Sequence, residues 1–136
     1  MLGEKFDKNK FIAYQIEVNS FDGEKIPVTL IHKKNLKRDR KNKLLLNVYG
    51  FYGLNLEIEF SIVNLKALEE NWIIGYAHVR GGNEKGSDWH RDGTVENKYK
   101  SFMDYKSVAE ELIRLGLTHN SLLCGYGGSA GASIVA

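Results

Sequence analysis

The sequence has one cysteine, one proline and no long uninterrupted apolar run among its 136 residues. A lone Cys124 excludes an internal disulfide and is typical of a reducing compartment, so we expect a cytoplasmic protein. The longest apolar stretches are much shorter than the roughly 18 residues that a membrane helix needs, so we predict no membrane span. The charged N-terminus MLGEKFDKNK lacks the apolar segment of a secretory signal.

A strong charge of either sign is also missing. The net charge of +2 is too small to indicate a nucleic-acid partner. Residues 33–43, KKNLKRDRKNK, are basic and open two interpretations, a localisation or nucleic-acid patch and a solvated loop. We favour the loop, because no aromatic residues alternate with the charges as they do in single-strand binders. We therefore predict no nucleic-acid partner.

The first half of the chain contains two strand-like runs. YQIEV and IPVTLIH flank NSFDGEK, whose Asp22-Gly23 pair is a turn signal, so we expect a hairpin. Pro27 lies in the second run and lacks a backbone donor, which predicts that this strand forms an edge of the sheet.

After residue 43 the pattern alternates between strands and helices. The apolar runs KLLLNVYG, WIIGYAHV and SLLCGYG are typical of buried strands. FSIVNLKALEE has helical spacing at Ile62, Leu65 and Leu68, with Ser61 as a candidate cap. RGGNEKGSDWHRDGT is expected to be a long loop. This order predicts an α/β protein with a mostly parallel sheet.

SFMDYKSVAEELIRLGL predicts a second, strongly amphipathic helix. Its apolar face is expected to consist of Phe102, Tyr105, Val108, Ala109, Leu112 and Ile113. Ser101 and Asp104 resemble a capping box, and Gly116 is placed to close the C-terminus.

The most informative stretch is LLCGYGGSAGASIVA, which holds the pattern Gly-x-Ser-x-Gly over residues 127–131. The pattern alone is also compatible with an ordinary glycine-rich loop. Here an apolar strand precedes it and a helical segment follows it, which is the context of a nucleophile elbow. Ser129 is therefore a candidate nucleophile, and the N–H of Ala130 is a candidate oxyanion donor.

A serine needs a base, and no residue after Ser129 can act as a base or an acid. The four histidines, His32, His78, His90 and His119, all lie upstream. Of these, His78 follows a predicted strand, but a surface or packing role is the commoner one for such histidines. If the protein is a hydrolase, we expect this sequence to be its front part.

Four stretches together resemble the catalytic domain of the prolyl oligopeptidase family of serine peptidases, especially the oligopeptidase B and prolyl endopeptidase-like branch. They are SFDGEKIPVTLIHKK, LLLNVYGFYGLNLEIEFS, NWIIGYAHVRGGNEKGSDWHRDG and GYGGSAGAS. The resemblance implies the N-terminal part of an α/β-hydrolase fold, with an edge hairpin and a mostly parallel sheet with flanking helices, truncated after the elbow. Residues 11–136 would form a partial catalytic domain, and residues 1–10 the remnant of a linker from a missing β-propeller.

The resemblance also implies roles for single residues. Ser129 matches the nucleophile, Ala130 the backbone N–H of the oxyanion hole, and Tyr49 the hydroxyl that completes that hole. Tyr49 alone would otherwise be interpreted as a core aromatic residue. Arg80, Gly81, Gly82 and Glu84 match a glycine-rich loop, for which we expect a structural role only.

Two positions depart from the family pattern. Ala132 replaces a glycine, and we expect its extra methyl group to be tolerated while it tightens helix–strand packing at the elbow. Asn83 replaces another glycine, where asparagine tolerates a left-handed backbone.

The predicted function is a serine-type endopeptidase or oligopeptidase that cleaves short peptides through an acyl-enzyme on Ser129, without a cofactor or metal. The chain as given lacks the acid and the histidine, so we expect it to be inactive alone. The alternatives are an esterase or thioesterase that uses the same serine, and a non-catalytic fragment that binds partners. The sequence predicts no oligomeric state.

Overall fold

The computed structural model describes residues 7–59 and 61–136. The predicted N-terminal segment 1–10 therefore lies partly outside the described residues. Five strands form one mixed sheet, with bounds Phe11–Asn19 (β1), Lys25–Lys33 (β2), Leu44–Val48 (β3), Ile73–Ala77 (β4) and Leu123–Gly127 (β5). The helices are Ile62–Glu69 (α1), Ser87–Arg91 (α2), Tyr99–Arg114 (α3) and Ala132–Val135 (α4), with 3₁₀ turns at Lys8–Lys10, Val95–Asn97 and Ser129–Gly131.

The strands lie in the order β1-β2-β4-β3-β5. β1 and β2 form the predicted antiparallel hairpin, and β2 pairs antiparallel with β4. β3 lies between β4 and β5 and runs parallel to both. The predicted α/β class with an edge hairpin and a mostly parallel sheet is therefore confirmed.

The edge position predicted for β2 is wrong, because β2 lies between β1 and β4. Pro27 is tolerated there for a local reason. Its carbonyl accepts a hydrogen bond from the N–H of His78 at 3.0 Å, one residue beyond the ladder between β2 and β4. The nitrogen of Pro27 faces the same side, so the missing donor falls where the ladder ends.

The sheet buries apolar side chains on both faces. On one face, Val108 and Leu112 of α3 and Ile134 of α4 pack against the buried residues of β2, β3 and β4. On the other face, Leu68 of α1 packs with Ile74. The strands β3 and β4 are covered on both sides, which explains their continuous apolar sequences.

α1 begins as predicted, because the Ser61 side chain accepts a hydrogen bond from Asn64 N at 3.2 Å. Its predicted apolar face is only partly right. Leu68 is buried, whereas Ile62 is 71% exposed. Ile62 lies in the first turn of the helix and belongs to neither of the two apolar core clusters.

The predicted capping box of α3 is wrong. The helix begins at Tyr99, and Ser101 and Asp104 are fully buried on its inner face. The predicted C-terminus is confirmed, since Gly116 has a φ of +78°. The N–H groups of Gly116 and Leu117 bond back to Ile113 and Leu112, which forms a Schellman motif.

Residues 34–43 form a largely exposed connection between β2 and β3, as the solvated-loop interpretation expects. The loop predicted over residues 80–94 contains the short helix α2. α2 is fixed by Trp89, which is 6% exposed and donates its indole N–H to the Val79 carbonyl at 3.2 Å.

Candidate active site

Tyr49 and the glycine-serine turn lie at the same edge of the sheet. Tyr49 follows the last residue of β3, and Gly128 and Ser129 follow the last residue of β5. β3 and β5 are parallel neighbours whose ends are paired in register, Val48 with Gly127. Parallel strands present their carboxyl ends together, so two residues eighty positions apart in the chain become neighbours.

Ser129 has a backbone conformation that is unusual for a serine. Its φ is 51°, in the left-handed region, and it starts the 3₁₀ turn that leads into α4. A non-glycine residue in this region costs free energy, and such residues concentrate at functional sites. The side chain is exposed, as expected for a nucleophile elbow.

The two outer glycines of the motif allow the turn to close. A Cβ atom on Gly127 would lie 2.2 Å from the Gly131 carbonyl oxygen, and a Cβ on Gly131 would lie 2.8 Å from the Val48 carbonyl oxygen. Both distances are far below van der Waals contact. The elbow therefore packs directly on the end of β3, and the Gly131 Cβ position lies only 3.0 Å from Tyr49 Cα.

Ala130 is the middle residue of the 3₁₀ turn, and its side chain is half-buried. The first N–H groups of a helical segment have no partner within that segment. The N–H of Ala130 is one of these groups, and an oxyanion donor would come from this part of the turn.

Tyr49 and Ser129 line the same open cavity of about 1010 Å³. Its wall is mainly apolar and aromatic, with two carboxylates, and includes Leu45, Val48, Leu54, Leu56, Val63, Tyr76, Tyr126, Glu57 and Glu59. This size and lining suit the binding of a small organic molecule or a peptide segment.

Tyr49 is half-buried and belongs to an aromatic group with Phe51 and Tyr52. The ring of Tyr49 lies edge-on to that of Phe51, with centroids 6.1 Å apart. These contacts support the ring of Tyr49, which also lines the cavity.

None of the four histidines, all within the described residues, lines this cavity. His32 is bonded to Tyr14 and Lys33, His90 to the Gly81 carbonyl, and His119 to Ser121. His78, the residue after β4, is buried. Its Nε2 lies 2.9 Å from Thr29 Oγ1, and its Nδ1 lies 3.5 Å from Glu84 Oε1. The described residues therefore bring no imidazole to the cavity beside Ser129.

Glu84 stabilises part of the cavity wall. Its Oε1 accepts a hydrogen bond from Leu56 N at 2.9 Å, so it fastens the segment that lines the cavity. Burial opposes the charged form, but the nearby His78 and the hydrogen bond from Leu56 outweigh it and hold the pKa of Glu84 below its ordinary value.

Arg80 forms the centre of a buried charge cluster. Its side chain is 1% exposed and contacts the carboxylates of Asp104, Asp22 and Asp92. The carboxylate of Asp104 accepts three hydrogen bonds from Arg80, from N at 3.0 Å, from Nε at 3.0 Å and from Nη2 at 2.6 Å. The cluster joins the β1–β2 turn, the end of α2 and the inner face of α3. Sequence reasoning assigned Arg80 to a structural loop but missed its partners.

The two partly exposed carboxylates of the cluster have lowered pKa values. The hydrogen bond from Arg80 is the main cause at Asp22. At Asp92, burial raises the pKa, but hydrogen bonds from Lys100 and Arg80 outweigh it. Burial acts against the charge of Arg80, yet its three carboxylate partners raise its pKa well above the ordinary value.

The two departures from the family pattern have little effect on the backbone. Ala132 is exposed, so its methyl group does not tighten the elbow, contrary to the expectation. Asn83 is exposed and does not have a positive φ, so a left-handed conformation is not needed there.

The model of the prolyl oligopeptidase family matches residues 58–136, more than half of the chain. The chain belongs to the prolyl oligopeptidase family. It is 35% identical to dipeptidyl aminopeptidase BI of Pseudoxanthomonas mexicana over 96% of this chain and 18% of the relative. It is 41% identical to a prolyl endopeptidase-like protein of Gallus gallus over 73% of this chain and 14% of the relative.

Solved structures of the family show the same fold. Oligopeptidase B from Trypanosoma brucei, with covalently bound antipain, superposes with a TM-score of 0.90 and 33% identity. The match covers 96% of this chain and 19% of that protein. The family and fold predictions are confirmed, and the chain spans less than a fifth of the length of these relatives.

Two further observations concern membrane-spanning helices and the single cysteine. Among residues 7–59 and 61–136, no helix has the length and apolar character to cross a bilayer. The thiol of Cys124 is free and exposed on β5.

Proposed function

We propose that this chain supplies the nucleophile and the oxyanion hole of a serine-type oligopeptidase that cleaves short peptides in the cytoplasm. The observation that carries the proposal is the left-handed backbone conformation of Ser129, just after β5, together with its position in the wall of the cavity that Tyr49 also lines. Membership of the prolyl oligopeptidase family supports the choice of peptides as substrates.

In this mechanism Ser129 Oγ attacks the substrate carbonyl carbon and forms a C–O bond, while its proton passes to a histidine base. The carbonyl oxygen becomes an oxyanion. The Ala130 N–H and the Tyr49 hydroxyl donate hydrogen bonds to it. The C–N bond then breaks, and the amine leaves with the proton from the histidine. Water hydrolyses the resulting ester on Ser129 by the reverse sequence of proton transfers.

The histidine must come from outside the residues that line this cavity, because none of them is a histidine. We therefore expect the isolated 136 residues to show no turnover and the activity to belong to the full gene product. Peptide cleavage by the isolated chain that is lost in Ser129→Ala would contradict this expectation.

The test of the proposal uses the full gene product. A fluorophosphonate probe should label it at Ser129, and Ser129→Ala should abolish both labelling and cleavage of a fluorogenic peptide amide. Ser87→Ala is the matched control, since Ser87 is an exposed serine in α2 that does not line the cavity, and this variant should keep both signals. Undiminished cleavage by Ser129→Ala would refute the proposal.

The same preparation tests the alternative of an esterase or thioesterase. Faster Ser129-dependent hydrolysis of acyl thioesters than of peptide amides would establish that alternative. Labelling of Ser129 without turnover of either substrate class would instead support a binding role.

A further inference from the structure

A lysine outside the reacting groups holds the backbone next to Tyr49. The ammonium group of Lys98 donates a hydrogen bond to the carbonyl of Gly50, the residue after Tyr49. It also donates to the Gly93 carbonyl at 3.2 Å and to Ser101 Oγ at 3.0 Å. The same nitrogen lies 3.5 Å from the centroid of the Phe51 ring.

These partners are unusual for a lysine, because they include no carboxylate. None of the ion pairs between described residues involves Lys98, although the side chain is half-buried. Removing an ammonium from water without a counter-ion costs free energy, and burial accordingly lowers the pKa of Lys98 to about 8. Carbonyls, a hydroxyl and an aromatic face compensate for part of that cost.

Two of these contacts act on the neighbours of Tyr49 in the chain. The bond to Gly50 fixes the peptide group that follows Tyr49, and the cation on Phe51 fixes the ring that supports Tyr49 edge-on at 6.1 Å. Gly50 has a φ of +69°. The turn therefore uses a left-handed conformation that glycine adopts without steric cost.

The opposite side of the turn is already confined. A Cβ on Gly50 would lie 2.6 Å from Val79 Cγ2, and the N–H of Gly53 donates to the Gly81 carbonyl at 3.0 Å. Together with Lys98, these contacts hold the turn from three elements: the sheet, the glycine-rich loop and the start of α3. Lys98 is the member of this set that contacts both Gly50 and Phe51.

We propose that Lys98 is a positioning residue for the oxyanion hole: it fixes the turn 49–51 so that the Tyr49 hydroxyl meets the oxyanion formed at Ser129. This role rests on the proposed function. Lys98 does not line the cavity, so it acts through Tyr49 and not on the substrate. A displacement of about 1 Å in a reacting group lowers rates by up to about 100-fold, which sets the scale of its effect.

The test is a double-mutant cycle in the full gene product, with kcat and KM measured on a peptide amide. Tyr49→Phe should lower kcat by about 10²–10³-fold, the effect of one oxyanion donor. Lys98→Met should lower kcat by about 10–100-fold with little change in KM. In the Tyr49→Phe background, Lys98→Met should have no further effect, because the group that it positions is gone.

Three measurements separate positioning from general destabilisation. Lys98→Arg keeps the charge and the donors and should recover part of the rate. Hydrogen exchange of the peptide that covers residues 49–54 should become faster in Lys98→Met. Lys106→Met, an exposed lysine two turns further along α3, should leave kcat and exchange unchanged. If Lys98→Met fails to fold, Phe51→Leu takes its place in the cycle and should show the same non-additivity.

An equal loss of kcat from Lys98→Met in both backgrounds would overturn the proposal, as would no loss in either. Unchanged exchange at residues 49–54 would overturn it as well. Failure of the proposed function gives a different result, since peptide cleavage and fluorophosphonate labelling would then survive in Ser129→Ala.

Discussion

Asp104→Asn provides the strictest test of the energetic role assigned to the Arg80 cluster. Asp104 is fully buried and accepts four hydrogen bonds, three from Arg80 and one from Ser20 Oγ at 2.6 Å. The asparagine keeps one acceptor oxygen and introduces an NH₂ group that faces other donors. About two charge-assisted bonds are lost, each contributing on the order of 1.5–3 kcal/mol.

The expected cost is therefore about 3–6 kcal/mol, and breaking a buried ion pair usually costs about 3–5 kcal/mol. Asp22 and Asp92 remain beside Arg80 and keep the loss at the lower end of this range. Because a domain of this size is stable by only about 5–15 kcal/mol, the loss should be plain in the urea midpoint.

The assay is urea denaturation of the chain, followed by far-UV circular dichroism, beside Glu111→Gln as the control. Glu111 forms an exposed ion pair with Arg114 in the same helix, so its loss should cost less than about 1 kcal/mol. A cost below about 1 kcal/mol for Asp104→Asn would refute the view that this cluster joins α3 to the sheet.

Three further outcomes are expected. Gly131→Ala should destabilise the chain by about 1–3 kcal/mol in thermal unfolding, because its methyl group would overlap the Val48 carbonyl, whereas Ala132→Gly should cost less than 1 kcal/mol. The pKa of Asp22 is lowered in the folded state, so its contribution is present above the unfolded value of about 4 and is lost as pH falls below it; Asp22→Asn should flatten this acid limb of a stability–pH curve. Ser61→Ala should remove the α1 cap and cost about 1 kcal/mol in urea unfolding, and an unchanged midpoint would contradict the cap.

Local patterns in the sequence were sufficient for the five strands, for α1 and α3, and for the turn between β5 and α4. Apolar runs identified β3, β4 and β5, and the Gly-x-Ser-x-Gly pattern between a strand and a helix located Ser129. Such features depend on residues that are close in the chain. The role proposed for Tyr49 rests on family resemblance, because nothing in its immediate sequence separates it from a core aromatic residue.

What the sequence did not reveal depends on long-range pairing. Ser101 and Asp104 have the spacing of a capping box, but their partner Arg80 lies more than twenty residues earlier, and that contact decides their role. Pro27 indicated an edge strand because the local rule does not show where a ladder ends. Lys98 has no local signal, since its partners become neighbours only when the sheet assembles.

The order of the strands also determines when the cavity can form as the chain folds. β5 pairs with β3 and not with β4, which is the strand that precedes it in the chain. Tyr49 and Ser129 therefore become neighbours only after β5, which follows α3, has paired with β3. Long loop closures of this kind are slow compared with hairpins and helices. The β1–β2 hairpin and the β3–β4 pair should therefore form first, and the cavity should appear in one late step when β5 docks.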